Sequence, residues 1–274
     1  MRVSGVAPAA VAVSGRGGKA RGPGYRSIDA LRWLARVEVA GIEPLGYALG
    51  FGWRATYSHV QRLADAGLLE RVHDREGSVV AITREGRRAV ARDGGDVRVG
   101  ATRGSGLRHA RAVSWVAALL TMRGREWVSD HEARALTEWQ IPVIWTHHRA
   151  THRPDVGAVI AGARVAVEVE LSHKAPRRLR AILAGYEHAI THDGLTGGVL
   201  YVSDRPGVLA AVERAAARTG VPADRFRTRA LADVHADVRR LARTGRERTD
   251  ARDARRAAES AALPSSPAAR TGAP

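Results

Sequence analysis

Arg153-Pro154-Asp155, followed by Val165-Ala166-Val167-Glu168-Val169-Glu170-Leu171-Ser172-His173-Lys174, decides the fold of this chain. The run Ala163-Arg164-Val165-Ala166-Val167 is apolar and β-branched enough to be a buried strand. Side chains alternate along a strand, so Glu168 and Glu170 point to one face. Val156-Gly157-Ala158-Val159-Ile160 reads as the preceding strand, joined to it by a turn at Ala161-Gly162. Asp155 then stands at the entry to the hairpin and the glutamate pair at its exit. Neighbouring carboxylates repel unless water, a cation or a basic partner neutralises them. Three such acids form a cluster suited to a hard, oxygen-seeking cation such as Mg²⁺. The bland alternative is a solvated sheet edge, with Asp155, Glu168 and Glu170 paired to Arg153, Arg177 and Arg178.

One lysine follows the acids. Of 44 Lys+Arg in the 274 residues only Lys19 and Lys174 are lysines. A coding bias has therefore turned almost every cation into arginine, yet an ammonium stands four residues past Glu170. The net charge is +16 and the pI about 11.4, a balance that attracts polyanions, nucleic acid first among them. The charge is uneven: residues 1–26 carry +5, 27–100 +1, 101–242 +7 and 243–274 +3. The chain has no cysteine, which excludes disulfides and thiolate metal sites. No apolar run reaches the ~20 residues of a membrane span, so no membrane role is expected and the cytoplasm is the default location.

Composition shifts divide the chain. Residues 1–24 read as a disordered basic tail, 25–92 as one folded block and 93–106 as a glycine-rich linker. A second block covers 107–242, and 243–274 reads as an Arg/Ala-rich disordered tail. In the first block Ser27 is placed to cap a helix through Ile28, Leu31, Leu34 and Val37, ended by Gly41. A short helix follows from Pro44, then a turn at Gly50-Phe51-Gly52 and a third helix from Trp53 to about Ala66. The apolar stripe of that third helix is Tyr57, Val60, Leu63 and Ala64, and its other face shows Arg54, Thr56, Ser58, His59 and Arg62. Two strands and a helix capped by Thr83 complete the block.

This order, with Ala66-Gly67-Leu68-Leu69 and Ile82-Thr83-Arg84-Glu85-Gly86-Arg87, resembles winged helix-turn-helix DNA-binding domains. The resemblance implies a third helix in the major groove, with Arg54, Thr56, Ser58, His59 and Arg62 toward DNA. It also implies Arg75 at the wing tip, on phosphate.

The second block reads helix, strand, hairpin, helix, strand, helix, with Phe226–Ala230 as a last strand. With Pro154-Asp155 and Glu168 it resembles the restriction-endonuclease-like superfamily, whose signature is proline-aspartate followed by Asp/Glu-x-Lys. Glu170 occupies the lysine position, and Lys174 is the nearest displaced ammonium. The resemblance implies a metal-dependent endodeoxyribonuclease site: Asp155, Glu168 and Glu170 on Mg²⁺, with Lys174 stabilising the developing charge. Superfamily relatives with glutamate at that position include nucleases, and inactive relatives also lose the lysine, so the activity stays open. His147, His148 and His152 fall in a stretch that reads as an exposed loop. Trp127, Trp139 and Trp145 read as core, and Glu132 as an accessory acid. No Walker-type phosphate loop is present, so ATP use is not expected.

Over about 27–242 the chain is similar to the replication-relaxation family of bacterial mobile elements. Leu107-Arg108-His109-Ala110 joins the motifs above in carrying that resemblance. It implies an α+β protein, a winged helix followed by a restriction-endonuclease-like α/β domain, that serves replication, relaxation or transfer of a plasmid or integrative element. The partners implied are double-stranded DNA, a second copy in a homodimer, and the relaxase or replication proteins of the element. The competing expectation is a non-catalytic transcription or copy-number regulator whose second domain is a degenerate nuclease.

Overall fold

The computed structural model describes residues 25–74, 77–91, 105–145 and 148–262. The first block is α1 (Tyr25–Val37), β1 (Val39–Gly41), α2 (Ile42–Ala48), α3 (Trp53–Asp65), β2 (Leu69–Asp74), β3 (Gly77–Ile82) and α4 (Arg84–Val90). The order is the expected one with one addition. Helix α1 does not run to Gly41: Glu38 takes φ +64 and turns the chain into β1. The added strand pairs antiparallel with β3, giving a sheet of order β1-β3-β2. Thr83 caps α4 as expected, its Oγ1 accepting the Gly86 N–H at 3.0 Å.

The second block opens with α5 (Ser105–Met122), β4 (Glu126–Ser129) and α6 (Asp130–Ala133). A 3₁₀ turn at Thr137–Trp139 leads into β5 (Ile141–Trp145), β6 (His148–His152), β7 (Val156–Ile160) and β8 (Ala163–Val169). Then come α7 (Pro176–Thr191), β9 (Gly198–Ser203), α8 (Pro206–Thr219), β10 (Phe226–Ala230) and α9 (Leu231–Ala262). Five strands make a mixed sheet of order β10-β9-β8-β7-β4. Strands β10, β9 and β8 run parallel, while β7 and β4 are antiparallel to their neighbours. The stretch expected as a loop at His148–His152 is a strand, because β5 offers it an antiparallel partner. His147 and the side chain of Trp145 lie outside the described residues. The molecule is thus a mixed α+β protein, and among its described residues no helix is long and apolar enough to cross a membrane.

Alternation along β8 sorts the two sheet faces. Val167 and Val169 join the core on the α5 side, while Ala166 joins the core of α7 and α8 with Tyr186, Leu183, Tyr201 and Val212. Trp127 and Trp139 are buried as expected. Helix α5 is apolar nearly all round, the mark of a helix buried on several sides. One side meets β4, β7 and β8, and the other meets α2 and β1. The two blocks therefore share a continuous core in which Leu31, Leu34 and Leu45 join Trp115, Val156 and Val167.

Of the expected linker, residues 93–104 lie outside the described residues, and Ser105 and Gly106 already belong to α5. The expected tail boundary at 242 falls inside α9, which continues to Ala262. Long-range ion pairs hold the start of that helix. Asp237 accepts from Arg123 at 2.7 Å, Arg229 at 2.8 Å and Arg240 at 2.6 Å, and Arg229 above all holds its carboxyl below the usual range. Arg239 pairs with Glu43 of α2 at 3.0 Å. Residues 1–24 and 263–274 lie outside the described residues.

Gly157 of β7 fixes the position of the sheet under the 3₁₀ turn. A Cβ there would stand 2.6 Å from the Trp139 ring, a distance that a rigid aromatic in a packed core cannot accommodate. Gly157→Ala is expected to lower stability by about 1–3 kcal/mol, read from the urea midpoint at unchanged denaturant dependence. A shift near zero would mean that Trp139 moves freely.

Candidate functional site

The register of β7 on β8 builds the site. Val156 pairs with Val167, so Asp155, one residue before, meets Glu168, one residue after, at the same end of the sheet. Asp155 Oδ2 accepts the Val169 backbone N–H at 2.7 Å, which ties the strand entry to the strand exit. Its Oδ1 lies 3.0 Å from His109 Nε2 of α5.

Glu168 is 3% exposed, and a carboxylate so far from water needs donors. It has two on Oε1: His152 Nε2 at 2.7 Å and the Tyr186 hydroxyl. Glu170, also buried, pairs with Lys174 Nζ. Arg153 takes none of these acids and pairs instead with Asp130 at 2.8 Å. Arg153 is therefore not their partner, and the two glutamates are buried rather than set on a solvated edge.

The charges act on one another as the geometry requires. The hydrogen bond that His109 donates to Asp155 raises the His109 pKa above that of a free imidazole, against the opposing effects of burial and of Lys174. Burial pulls the Lys174 ammonium below the usual lysine range, while Glu168 and Asp155 act in the other direction. Burial, then Glu168, push the Tyr186 hydroxyl well above its normal value, so it remains a donor to the carboxylate. Burial and the same acids raise Tyr201 as well. Asp155, Glu168, Glu170 and Lys174, singled out in the sequence, thus lie in one neighbourhood.

His109, His152 and Tyr186 belong to the site too. The first stood in the motif opening the second block with no role given. The second falls in the stretch expected as a loop, and the third in the helix expected after the hairpin. Only pairing of β6 on β5 and packing of α7 on the sheet bring His152 and Tyr186 to Glu168. Glu132, expected as an accessory acid, is structural: it closes a capping box with Ser129 and pairs with Arg36 at 2.8 Å.

As a metal cradle the donor set is of a particular kind. Among the described residues no group of three or more His, Asp or Glu side chains gathers to enclose an ion. What fits is the sparser arrangement of magnesium, which commonly rests on one or two carboxylates, water and substrate phosphate. Asp155 and Glu168 would supply that pair, while Glu170 is engaged by Lys174.

A second surface lies on α3. Arg54, Ser58 and Arg62 are exposed, as expected. Thr56 is not: it is 2% exposed, its Oγ1 donates to the Gly52 carbonyl at 3.0 Å, and it packs on Gly46. The buried row of the helix is Thr56, Val60 and Leu63, which turns Tyr57 outward instead of into the core. Tyr57 carries the Arg71 guanidinium over its ring at 4.6 Å and neighbours Trp53, which is 62% exposed. His59 is half-buried between Ser27 Oγ at 3.0 Å and Arg62 Nη2 at 2.9 Å, and burial, then Arg62, lower its pKa. Ser27 lies inside α1, buried against His59, rather than ahead of the helix as its cap. Arg75 lies outside the described residues.

A four-helix, three-stranded block fused through a shared helix to a mixed sheet with a buried carboxylate, histidine and lysine cluster at one end defines the class. Residues 31–198 match the family described as Replication-relaxation, and the chain belongs to that family. No protein of curated function matches it. Among solved structures it is similar to that of protein VC1899 from Vibrio cholerae, at 13% identity and a TM-score of 0.35. The alignment takes in 80% of this chain and 56% of that one, so the chain spans little more than half that protein's length.

Tyr186→Phe removes one of the two donors to the Glu168 carboxylate while keeping the ring. A loss of about 1–3 kcal/mol in unfolding free energy is expected. A cost below about 0.5 kcal/mol would show that Glu168 does not depend on the hydroxyl.

Proposed function

We propose that this chain is a DNA-binding protein serving the replication, relaxation or transfer of a plasmid or integrative element. In this reading its first block is a winged helix and its second a restriction-endonuclease-like domain. The observation that carries the reading is the outward face of α3, where Trp53, Arg54, Ser58 and Arg62 are exposed while Thr56, Val60 and Leu63 close the core beneath them. A helix with one face in the core and small, basic and hydrogen-bonding groups on the other suits the major groove. Arg54→Ala with Arg62→Ala is expected to weaken binding of duplex DNA. If both contact phosphate, the slope of log affinity against log salt falls by about 2. Fluorescence anisotropy across a salt series measures both, and a wild-type protein with no salt-dependent duplex affinity would overturn the reading.

The meeting of Asp155 and Glu168 beside Lys174 favours a second, compatible activity: magnesium-dependent cleavage of a phosphodiester. Asp155 and Glu168 would hold the ion, with Glu170 joining when Lys174 turns to substrate. Bound there, the ion supplies Lewis-acid polarisation of the phosphate and a more acidic water.

The chain's own groups do the rest. Lys174 places positive charge where the leaving oxygen becomes negative. His109 Nε2 handles a proton beside Asp155. Tyr186 and His152 hold Glu168 in one orientation. Supercoiled plasmid incubated with protein and Mg²⁺ is expected to be nicked, with chelator stopping the reaction and Asp155→Ala reducing the rate at least about 100-fold. Intact plasmid with duplex binding retained would favour the non-catalytic regulator instead.

A further inference from the structure

A groove of about 720 Å³ runs between α7 and α8 and ends at Glu170 and Lys174. Its floor is apolar: Leu179, Val208, Val212 and Ala215 are each at least nine-tenths buried. Its rim is cationic, with Arg180 from α7 and Arg214 and Arg218 from α8. The match to the family ends at residue 198, ahead of α8.

We propose that this groove seats a single strand of nucleic acid next to the acidic cluster, an inference that rests on the DNA reading above. Charge is the first argument. Many other arginines of this block have carboxylate partners: Arg153 on Asp130, and Arg123, Arg229 and Arg240 on Asp237. Arg180 and Arg214 have no acidic partner among the described residues. The acids nearby are already engaged: Glu170 by Lys174, and Glu213 by the Thr228 hydroxyl at 2.5 Å. Guanidinium groups lining one groove without a counter-charge suit phosphate, which their forked donors match.

The floor is the second argument. An anion alone needs no apolar bed, whereas a nucleotide brings a flat base with its phosphate. Exposed His173 adds a ring at the rim, a side chain that stacks on unpaired bases. Bases in a duplex are stacked on one another and cannot reach such a floor, and the volume is that of a small-ligand cleft rather than a double helix. Continuity with Glu170 and Lys174 lets one strand run from the groove to the acids.

The test uses the full chain, a dye-labelled oligodeoxythymidine of about 12 nucleotides and a duplex of equal length. Arg180→Glu with Arg214→Glu changes only exposed side chains. It is expected to weaken the single strand at least 10-fold, lower its salt slope by about 1.4 and leave duplex affinity and melting temperature unchanged. Arg54→Ala with Arg62→Ala is expected to do the reverse. Unchanged single-strand affinity in the groove variant overturns the inference while leaving the DNA reading standing. Failure of the wild type to bind either form removes both. Thymidine monophosphate competing as well as the oligonucleotide makes this a small-molecule site and overturns the strand assignment. Photocrosslinking of a bromodeoxyuridine oligonucleotide is expected to map to residues 172–180 or 206–219, and crosslinks confined to other segments overturn the proposal.

Discussion

Two carboxylates cannot share the end of one antiparallel strand pair without compensation, and the second block is arranged around that constraint. The β7–β8 register forces Asp155 and Glu168 together. Four segments that reach this end contribute a counter-group: His109 from α5, His152 from β6, Tyr186 from α7, and Lys174 from the segment between β8 and α7. Removing negative charge would leave these counter-groups without partners. Keeping it obliges helices and strands distant in sequence to dock where they do. The acids therefore act as a structural organiser as well as candidate chemistry, and the depressed Lys174 and raised His109 follow from their shared field.

Helix α5 couples this end of the sheet to the first block. It covers one sheet face, carries His109 to Asp155, and packs on α2 and β1 with its other side. Such a helix cannot shift against one block without disturbing the other, because packed interiors transmit displacement. A nucleic acid held on α3 would thus be held in a fixed relation to the acidic cluster.

The outer face of α3 shows how a small error in helical phase changes a surface. A stripe drawn through Tyr57, Val60, Leu63 and Ala64 puts an aromatic inside and Thr56 outside. Rotation by about one residue, or 100°, reverses both. The reversal has a physical cause. Thr56 satisfies its hydroxyl on the Gly52 carbonyl and fits against Gly46, which has no Cβ to obstruct it. Tyr57, amphipathic, tolerates exposure with its hydroxyl accepting from Arg71 at 2.5 Å. The surface left for a partner is consequently more aromatic than expected, with Trp53 and Tyr57 among the cations.

Local pattern alone gave the strands β4, β7, β8, β9 and β10, most helices, and the acids with their lysine. Period-two alternation and turn residues act over a few positions and need no knowledge of the rest of the chain. Strand β1 was missed because three residues are too few for a period. Strand β6 was missed because its polar residues become a strand only beside β5. What the tertiary structure alone decided was partnership: that His109, His152 and Tyr186 meet acids 16 to 46 residues away, that α5 joins two blocks into one core, and that ion pairs on Asp237 and Glu43 hold the start of α9. The physical reason is that hydrogen bonds and charge pairs between distant residues depend on where packing brings the backbone, and adjacent residues carry no record of that distance.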